Sequence, residues 1–173
     1  DAAFHYCTAL VSISIPESVT SLGYHTFRNC VSLTDVTIPK GVTAIGKEVF
    51  QNCNSLTEVN IPEGVTSIGY FAFQSCKLST ITIPENVSSI GHDAFDGCSN
   101  LASITCRAIT PPELEYSVFN NVNKSIPVYV PTSAIAAYKE ADYWKEFTNI
   151  QAPIIDSGTC GESLTWKING TYE

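Results

Sequence analysis

The sequence predicts an α/β repeat solenoid, mostly β and irregular, that winds right-handed with a parallel sheet on one face and a short C-terminal capping helix. Three recurrences indicate this fold: phenylalanines, cysteines and Ile-Pro pairs each return at the same nearly constant interval. A unit this short cannot bury an apolar face alone, so neighbouring units must stack into one core. The recurring residues are Phe4, Phe27, Phe50, Phe73 and Phe95, then Cys7, Cys30, Cys53, Cys76 and Cys98, and finally Pro16, Pro39, Pro62 and Pro84.

The repeated unit can be written L-x-x-I-x-I-P-x-x-V-x-x-I-G-x-x-A-F-x-x-C-x-x. Its L-x-x-I-x-I segment alternates apolar and polar residues and contains β-branched ones, which indicates a strand. Equivalent strands of successive coils then pair in parallel at ~4.8 Å, and the proline ends each strand because it has no N–H to donate. We expect the glycine column to adopt a positive φ at a corner of the coil. Its members are Gly23, Gly46, Gly69 and Gly91.

A degenerate coil follows the five clear ones. Phe119 continues the phenylalanine column after Phe95 at nearly the same interval, and Val122 then falls in the cysteine column. Val128 and Val130 form the sixth predicted strand. The position of Val122 shows that the cysteine column accepts an aliphatic side chain.

The segment after this coil predicts a cap for the open end of the core. Thr132 and Ser133 give an N-cap signal, and apolar residues at helical spacing follow them. We expect a short helix, together with Tyr143, Trp144 and Phe147, to cover the core, as solenoids require.

We therefore divide the chain into three parts. The solenoid spans 1–106, in five coils of nearly equal length of which the first is incomplete; the degenerate coil and helical cap span 107–152; and 153–173 form a linker and the truncated start of a β module. In this tail, LTWKINGTYE predicts a strand and an Asn169-Gly170 hairpin turn. Because Asp1 falls inside a unit, we expect the natural polypeptide to be longer.

Composition excludes several classes of partner. Nine Lys and Arg against 17 Asp and Glu give a formal charge of −8, so no basic patch exists for a nucleic acid or an anionic membrane. No run of about 18 apolar residues occurs, so we expect no membrane insertion. Charged residues make up 15% and hydrophobic ones 44%, which is typical of a folded chain and not of a disordered one.

The stretch SLTDVTIPKGVTAIGKEVFQNC resembles the BspA-type leucine-rich repeat of bacterial surface proteins and some protozoan proteins, and the match continues column by column across 1–106. PVYVPTSAIAAYKEADYWKEFTNI resembles the segment that closes such arrays, and SGTCGESLTWKINGTYE is similar to the start of a β-rich module that follows them. The chain departs from the pattern where Arg107 replaces the column proline and ITPPELEYSVF lacks the column glycine. The resemblance implies a leucine-rich-repeat-like solenoid at the cell surface or secreted, which binds host matrix proteins or other cells.

The cysteines admit two interpretations. Neighbours in the column would have Cα atoms ~4.8 Å apart, within the range of a disulfide. However, five column members cannot all pair in disulfides, and stacked side chains run parallel instead of pointing toward each other. A zinc site is also disfavoured, because zinc needs ligands that converge on one point. We favour buried free thiols that act as small hydrophobic residues, and we interpret Cys106, which occupies an isoleucine position, in the same way. Cys160 lies in the tail, outside the column.

Histidines and carboxylates give no clear catalytic signal. His25 and His92 occupy variable columns, so we expect solvated side chains. Asp35 and Glu58 share an outward column at ~5 Å, a spacing that glycoside hydrolysis would allow, but on an open polar sheet with no pocket. A calcium ion bridging these two residues and Asn60 is a further hypothesis. We expect no metal, no cofactor and no catalysis.

The outward strand columns are the best candidate for recognition, although they lack the aromatic and arginine anchors that dominate binding energy in most interfaces. The alternative is that they only keep the sheet face soluble. We expect a monomeric, non-catalytic surface module that binds a protein partner. The second hypothesis is a rigid spacer that holds another domain away from the cell. The third is a surface glycan-processing enzyme. The outward residues are Ser12, Asp35, Glu58, Thr80, Ser103, Ser14, Thr37, Asn60, Thr82, Thr105 and Tyr129.

Overall fold

The computed structural model of the protein describes residues 1–153, 157–160 and 164–167. It is a parallel β-solenoid of about six turns with one short helix near the C-terminal end, which confirms the predicted fold class. The strands of the solenoid are β1 (Ser12–Ser14), β2 (Asp35–Thr37), β3 (Ala44–Ile45), β4 (Ser67–Ile68), β5 (Thr80–Ile83), β6 (Ser89–Ile90), β7 (Ser103–Cys106), β8 (Glu113–Leu114), β9 (Val128–Tyr129) and β10 (Ile150–Gln151).

The first sheet contains the predicted L-x-x-I-x-I strands. β1 pairs with β2, and β5, β7, β9 and β10 pair in that order, all parallel. A single bridge from Thr37 to Asn60 extends the first group to the third coil. The register places Ile81 opposite Ile104 and Ile104 opposite Val128. Equivalent apolar residues therefore form a continuous column inside the solenoid.

A second parallel ladder runs through the V-x-x-I segment, where the sequence predicted no strand. β3, β4, β6 and β8 pair in that order, with Ile45, Ile68, Ile90 and Leu114 in one column. All four side chains are buried. Between the two ladders, the proline carbonyl accepts the N–H of the residue three positions on, as from Val65 to Pro62 at 3.0 Å. In the second and fourth coils, this tight turn joins two short strands.

Behind the sheets, the column phenylalanines form one stack. Consecutive ring centroids lie 5.3 to 5.5 Å apart and the ring planes differ by 6 to 12°. Offset stacking at this separation is a favoured geometry for aromatic pairs. The stack begins at the half-buried Phe4, and the other members are buried: Phe27, Phe50, Phe73, Phe95 and Phe119.

The expectation of a positive φ in the glycine column is wrong. Positive φ occurs instead two residues before and two after the column phenylalanine, as at Glu48 (58°) and Asn52 (60°) around Phe50. The column glycine is needed for close approach: a Cβ on Gly69 would lie 2.8 Å from the carbonyl carbon of Gly46 in the preceding coil. Backbone contact between coils is what excludes a side chain there.

The cap comprises α1 (Ile135–Glu140) between two 3-10 turns, Thr132–Ala134 and Trp144–Glu146. The predicted N-cap is wrong, since no side chain caps either the first turn or α1. Tyr138 and Trp144 are fully buried and donate hydrogen bonds to the carbonyl oxygens of Ala108 and Pro112, each 2.9 Å long. These bonds fix the cap to the degenerate coil.

The prediction for the cap's aromatic residues is confirmed for Trp144 and Phe147 and wrong for Tyr143. Trp144 and Phe147 are buried beneath the last column phenylalanine, with ring centroids 5.5 and 5.4 Å from that of Phe119. Tyr143 remains 38% exposed. The backbone of Tyr143 has a φ of 62°, and this positive φ turns the Tyr143 side chain away from the core.

In the tail, β11 (Ser157–Cys160) pairs antiparallel with β12 (Leu164–Lys167), so the predicted LTWK strand is present. The Asn169-Gly170 turn lies outside the described residues. The three-part division of the chain stays a prediction. Within the described residues, no helix has the length and apolar character needed to cross a membrane.

Candidate functional site

The outward side chains of the first sheet form the surface that we call the sheet face. Parallel register aligns them in two columns, with Ser12 opposite Asp35 and Thr80 opposite Ser103 in the first column. The second column continues to Tyr129, which pairs with Thr105. The exposed members are Ser12, Ser14, Asp35, Thr37, Glu58, Asn60 and Thr80, and the half-buried ones are Thr82, Ser103, Thr105 and Tyr129.

The sheet face carries its charge near the centre of the array. The bridge from Thr37 to Asn60 sets the register of the third coil, so that Asp35 and Glu58 are neighbours one coil apart. Both side chains are exposed. An exposed carboxylate pair without an enclosing pocket lacks the desolvated acid that glycoside hydrolysis requires.

No group of three or more His, Cys, Asp or Glu side chains that could hold a metal ion occurs among the described residues. The calcium hypothesis relies on the oxygens of Asp35, Glu58 and Asn60. Calcium prefers six to eight oxygen ligands. A calcium ion at this position would therefore need water molecules for most of its ligands.

The cysteine column is an interior hydrogen-bonded ladder. Cys30, Cys53, Cys76, Cys98 and Cys106 are all free and buried. The thiol of each column member from Cys30 to Cys98 donates to the carbonyl oxygen of the column phenylalanine one coil earlier, at 3.0 to 3.2 Å between sulfur and oxygen. The sequence led us to expect buried thiols here, but not their hydrogen bonds.

Burial governs the acidity of these thiols. It raises the pKa of Cys53 and of Cys98 to about 12, and that of Cys76 well above its ordinary value. Since the thiolate is the nucleophile and the metal ligand, the raised pKa keeps these three buried thiols in their unreactive protonated form at neutral pH. Burial likewise raises the pKa of Cys106, whose sulfur lies 3.1 Å from the Tyr138 hydroxyl oxygen.

Cys7 differs from the rest of its column, because it is exposed. It belongs to the first coil of this chain, which stacks against a following coil on one side alone. The expectation that all six of these cysteines are buried is therefore wrong at this position.

His25 and His92 are both half-buried, so the expectation of solvated side chains is wrong for these two histidines. The Nε2 of His25 lies 3.4 Å from the Glu48 carboxylate, which is itself only 7% exposed. Arg28 and Lys47 also pair with Glu48, at 2.9 and 3.3 Å. A buried carboxylate is stable only with such compensation, and no pattern in the sequence marked this cluster.

His92 lies within an aromatic stack on the turn segments. Its ring centroid is 4.5 Å from that of Tyr70 and 4.9 Å from that of Tyr116. Its Nδ1 lies 3.0 Å from a carboxylate oxygen of Asp93. The two tyrosines occupy the same column as His92, three residues before the column phenylalanine, which is the signal that would have revealed the stack.

Comparison with known families gives one match that extends over most of the chain. The model described as the BspA type leucine-rich repeat region matches six copies, over residues 1–102 and 66–154. No curated protein sequence matches the chain.

Several solved structures of bacterial repeat proteins are similar to the structure of this chain. A leucine-rich repeat protein from Bacteroides ovatus is 28% identical, with a TM-score of 0.57, over 79% of this chain and 43% of its own. The T. pallidum leucine-rich repeat protein is 27% identical, with a TM-score of 0.61, over 83% of this chain and 71% of its own. A leucine-rich cell surface protein from Faecalibacterium prausnitzii is 25% identical, with a TM-score of 0.52, over 77% of this chain and 52% of its own. This chain spans about half the length or less of the first and third of these proteins.

Proposed function

This chain belongs to the BspA-type leucine-rich repeat family, and from that premise we propose that it is a non-catalytic module of a cell-surface or secreted protein that binds a protein partner, such as a host matrix protein, through the sheet face. The observation that carries the proposal is the alignment of the outward side chains in two columns, exposed from the first coil to Thr80 and half-buried toward the cap. The cell-surface description of the Faecalibacterium prausnitzii relative supports the location.

The charges of the sheet face favour a basic partner. Asp35 and Glu58 are adjacent and exposed near the centre of the array, and the chain as a whole carries a formal charge of −8. Complementary charge speeds association and selects among partners. The half-buried Tyr129 is the one aromatic side chain on this surface, and aromatic anchors contribute strongly to binding energy. We expect the partner to place basic groups over the two carboxylates and an apolar group against Tyr129.

Binding of the purified chain to a panel of immobilised extracellular-matrix proteins tests this proposal. The double variant Asp35→Lys/Glu58→Lys reverses the charge of the sheet face, and we expect at least a tenfold loss of affinity. The matched control is Glu85→Lys/Glu140→Lys, which makes the same change of net charge at exposed positions outside the sheet face. The control should bind as the unaltered chain does, and binding should weaken as salt is raised, since exposed charges are screened.

A rigid spacer is the second candidate, and the phenylalanine stack supports it. Centroid separations of 5.3 to 5.5 Å through the whole array leave no break at which the solenoid could bend. A spacer would show no saturable binding to any member of the panel. Equal losses in the sheet-face variant and the control would also contradict a specific sheet-face site.

A further inference from the structure

A partly open cavity of about 230 Å³ lies beside the cap, where the turn segment of the sixth coil approaches the second 3-10 turn. It is separate from the sheet face. The chemistry of its lining is mixed, with two tyrosine rings, an ammonium group, a carboxylate, an amide and a hydroxyl. These groups belong to Tyr116, Tyr143, Lys124, Glu146, Asn120 and Ser117.

Tyr116 provides a fixed aromatic wall. Its ring stacks on His92 with 4° between the planes, and His92 stacks in turn on Tyr70. One face of the Tyr116 ring is thus covered, while the residue remains 57% exposed and lines the cavity. A ring already held by stacking loses little conformational freedom when a ligand packs against it.

Tyr143 provides a second ring, held out of the core by its backbone. Its φ of 62° is unusual for a bulky residue. It falls outside the regular left-handed positions that flank the column phenylalanines. The next residue, Trp144, is fully buried and donates to the carbonyl oxygen of Pro112 at 2.9 Å. Trp144 therefore anchors the backbone, and Tyr143 remains 38% exposed beside the cavity.

The charged groups of the cavity compensate each other. Lys124 donates from Nζ to the Phe119 carbonyl oxygen at 2.6 Å, and the same nitrogen lies 3.7 Å from the Glu146 carboxylate. The cavity thus offers hydrogen-bond donors and acceptors with no net charge from this pair. Such a lining favours a neutral ligand rich in hydroxyl groups over an anion or a cation, which would meet one like charge.

We propose that this cavity binds one neutral pyranose unit of a glycan, packed against the free face of Tyr116 and beside Tyr143, without catalysis. A pyranose has an apolar C–H face for an aromatic ring and equatorial hydroxyl groups that both donate and accept. A volume below the ~300 Å³ of typical drug-sized pockets suits a single sugar unit. The site is independent of the protein-binding sheet face.

Titration of the full chain with methyl glycosides of neutral hexoses and N-acetylhexosamines, followed by NMR, tests the proposal. The central variant is Tyr143→Gly, which removes the ring and suits the left-handed backbone, so the fold is retained. We expect at least tenfold weaker binding of the preferred glycoside in Tyr143→Gly and in Tyr116→Ala. Tyr24→Ala is the matched control, because Tyr24 is also 57% exposed and lies in the Tyr116 column four coils away. It should bind as the unaltered chain does.

N-acetylneuraminic acid and tetramethylammonium serve as an anionic and a cationic probe in the same titration. Stronger binding of either one than of every neutral glycoside would overturn the assignment of ligand class. Absence of binding by all neutral glycosides, or unchanged affinity in Tyr143→Gly, would overturn the site itself. An equal loss in Tyr24→Ala would show that exposed tyrosines act without the cavity, which also contradicts the proposal.

Discussion

Cys76 donates its thiol to the carbonyl oxygen of Phe50 in the preceding coil, with 3.2 Å between sulfur and oxygen. That oxygen already accepts the N–H of Cys53 at 3.1 Å within its own coil. The thiol is therefore a second donor to a group that is satisfied without it. This is why the column tolerates Val122 in the sixth coil, where the side chain is likewise buried.

This relationship predicts how the column responds to substitution. Cys76→Val keeps an aliphatic side chain of similar size and leaves no carbonyl unpaired, so we expect a loss of less than about 1.5 kcal/mol in the free energy of unfolding. Cys76→Ser buries a hydroxyl in an apolar site and should cost more, about 1–3 kcal/mol. Urea denaturation of the two variants at pH 7 measures the difference. A larger loss in Cys76→Val than in Cys76→Ser would show that the hydrogen bond outweighs packing.

Alkaline pH should destabilise the fold through the same thiols. Burial raises the pKa of Cys53 and Cys98 to about 12, whereas an unfolded thiol has a pKa of ~8.5. Between these values the unfolded chain has lost protons that the folded chain retains, so the free energy of unfolding falls as pH rises. Each thiol contributes up to ~1.4 kcal/mol per pH unit in this range.

Urea denaturation between pH 8 and 10.5 checks this dependence. The double variant Cys53→Val/Cys98→Val removes two of the titrating thiols, and its stability should fall less steeply with pH than that of the unaltered chain. The same steepness in both proteins would mean that other groups cause the alkaline loss.

Two glycines of the third coil provide a matched pair. A Cβ on Gly69 would lie 2.8 Å from backbone atoms of Gly46 and Lys47, which cannot move without separating the coils. We expect Gly69→Ala to cost about 1–3 kcal/mol through overpacking. A Cβ on Gly64 would meet nothing closer than 3.6 Å, so Gly64→Ala should be neutral or stabilise by up to about 1 kcal/mol. Thermal unfolding of both variants gives the comparison, and equal melting temperatures would contradict the close approach at Gly69.

The phenylalanine stack predicts that a central ring matters more than a terminal one. Phe73 is fully buried between Phe50 and Phe95, at 5.3 Å from each. Phe73→Ala should therefore cost about 3–5 kcal/mol. The half-buried Phe4 contacts only one neighbour in the stack, so Phe4→Ala should cost clearly less. Chemical denaturation measures both, and a comparable loss at Phe4 would mean that the stack does not act as a continuous core.

The sequence predicted those features of the fold in which the same type of side chain recurs at the same position of successive coils. The strand columns, the phenylalanine column and the buried thiols each recur from coil to coil, and alternation with β-branched residues identifies a strand directly. The second ladder was missed because its strands are as short as Ser67–Ile68. Such a short segment cannot show a period of two, and the pairing comes from the stacking of coils.

Features that depend on one particular contact were not predictable. The charge of the buried Glu48 is compensated by Arg28, which is distant in the chain but lies in the neighbouring coil. Tyr143 was expected to cover the core together with Trp144 and Phe147, yet its positive φ leaves the residue 38% exposed. The sheet face could be predicted because equivalent strand residues of successive coils align. The cavity lined by Tyr116 and Tyr143, in contrast, depends on where the cap meets the sixth coil.

Alkylation of the native protein with iodoacetamide at neutral pH, followed by peptide mapping, tests most directly the claim that the repeated string is an interior scaffold. We expect rapid labelling of the exposed Cys7 and protection of Cys30, Cys53, Cys76, Cys98 and Cys106 until the chain is unfolded. Labelling of Cys53 or Cys76 at the rate seen for Cys7 would place the column at the surface and contradict the stacking of the coils.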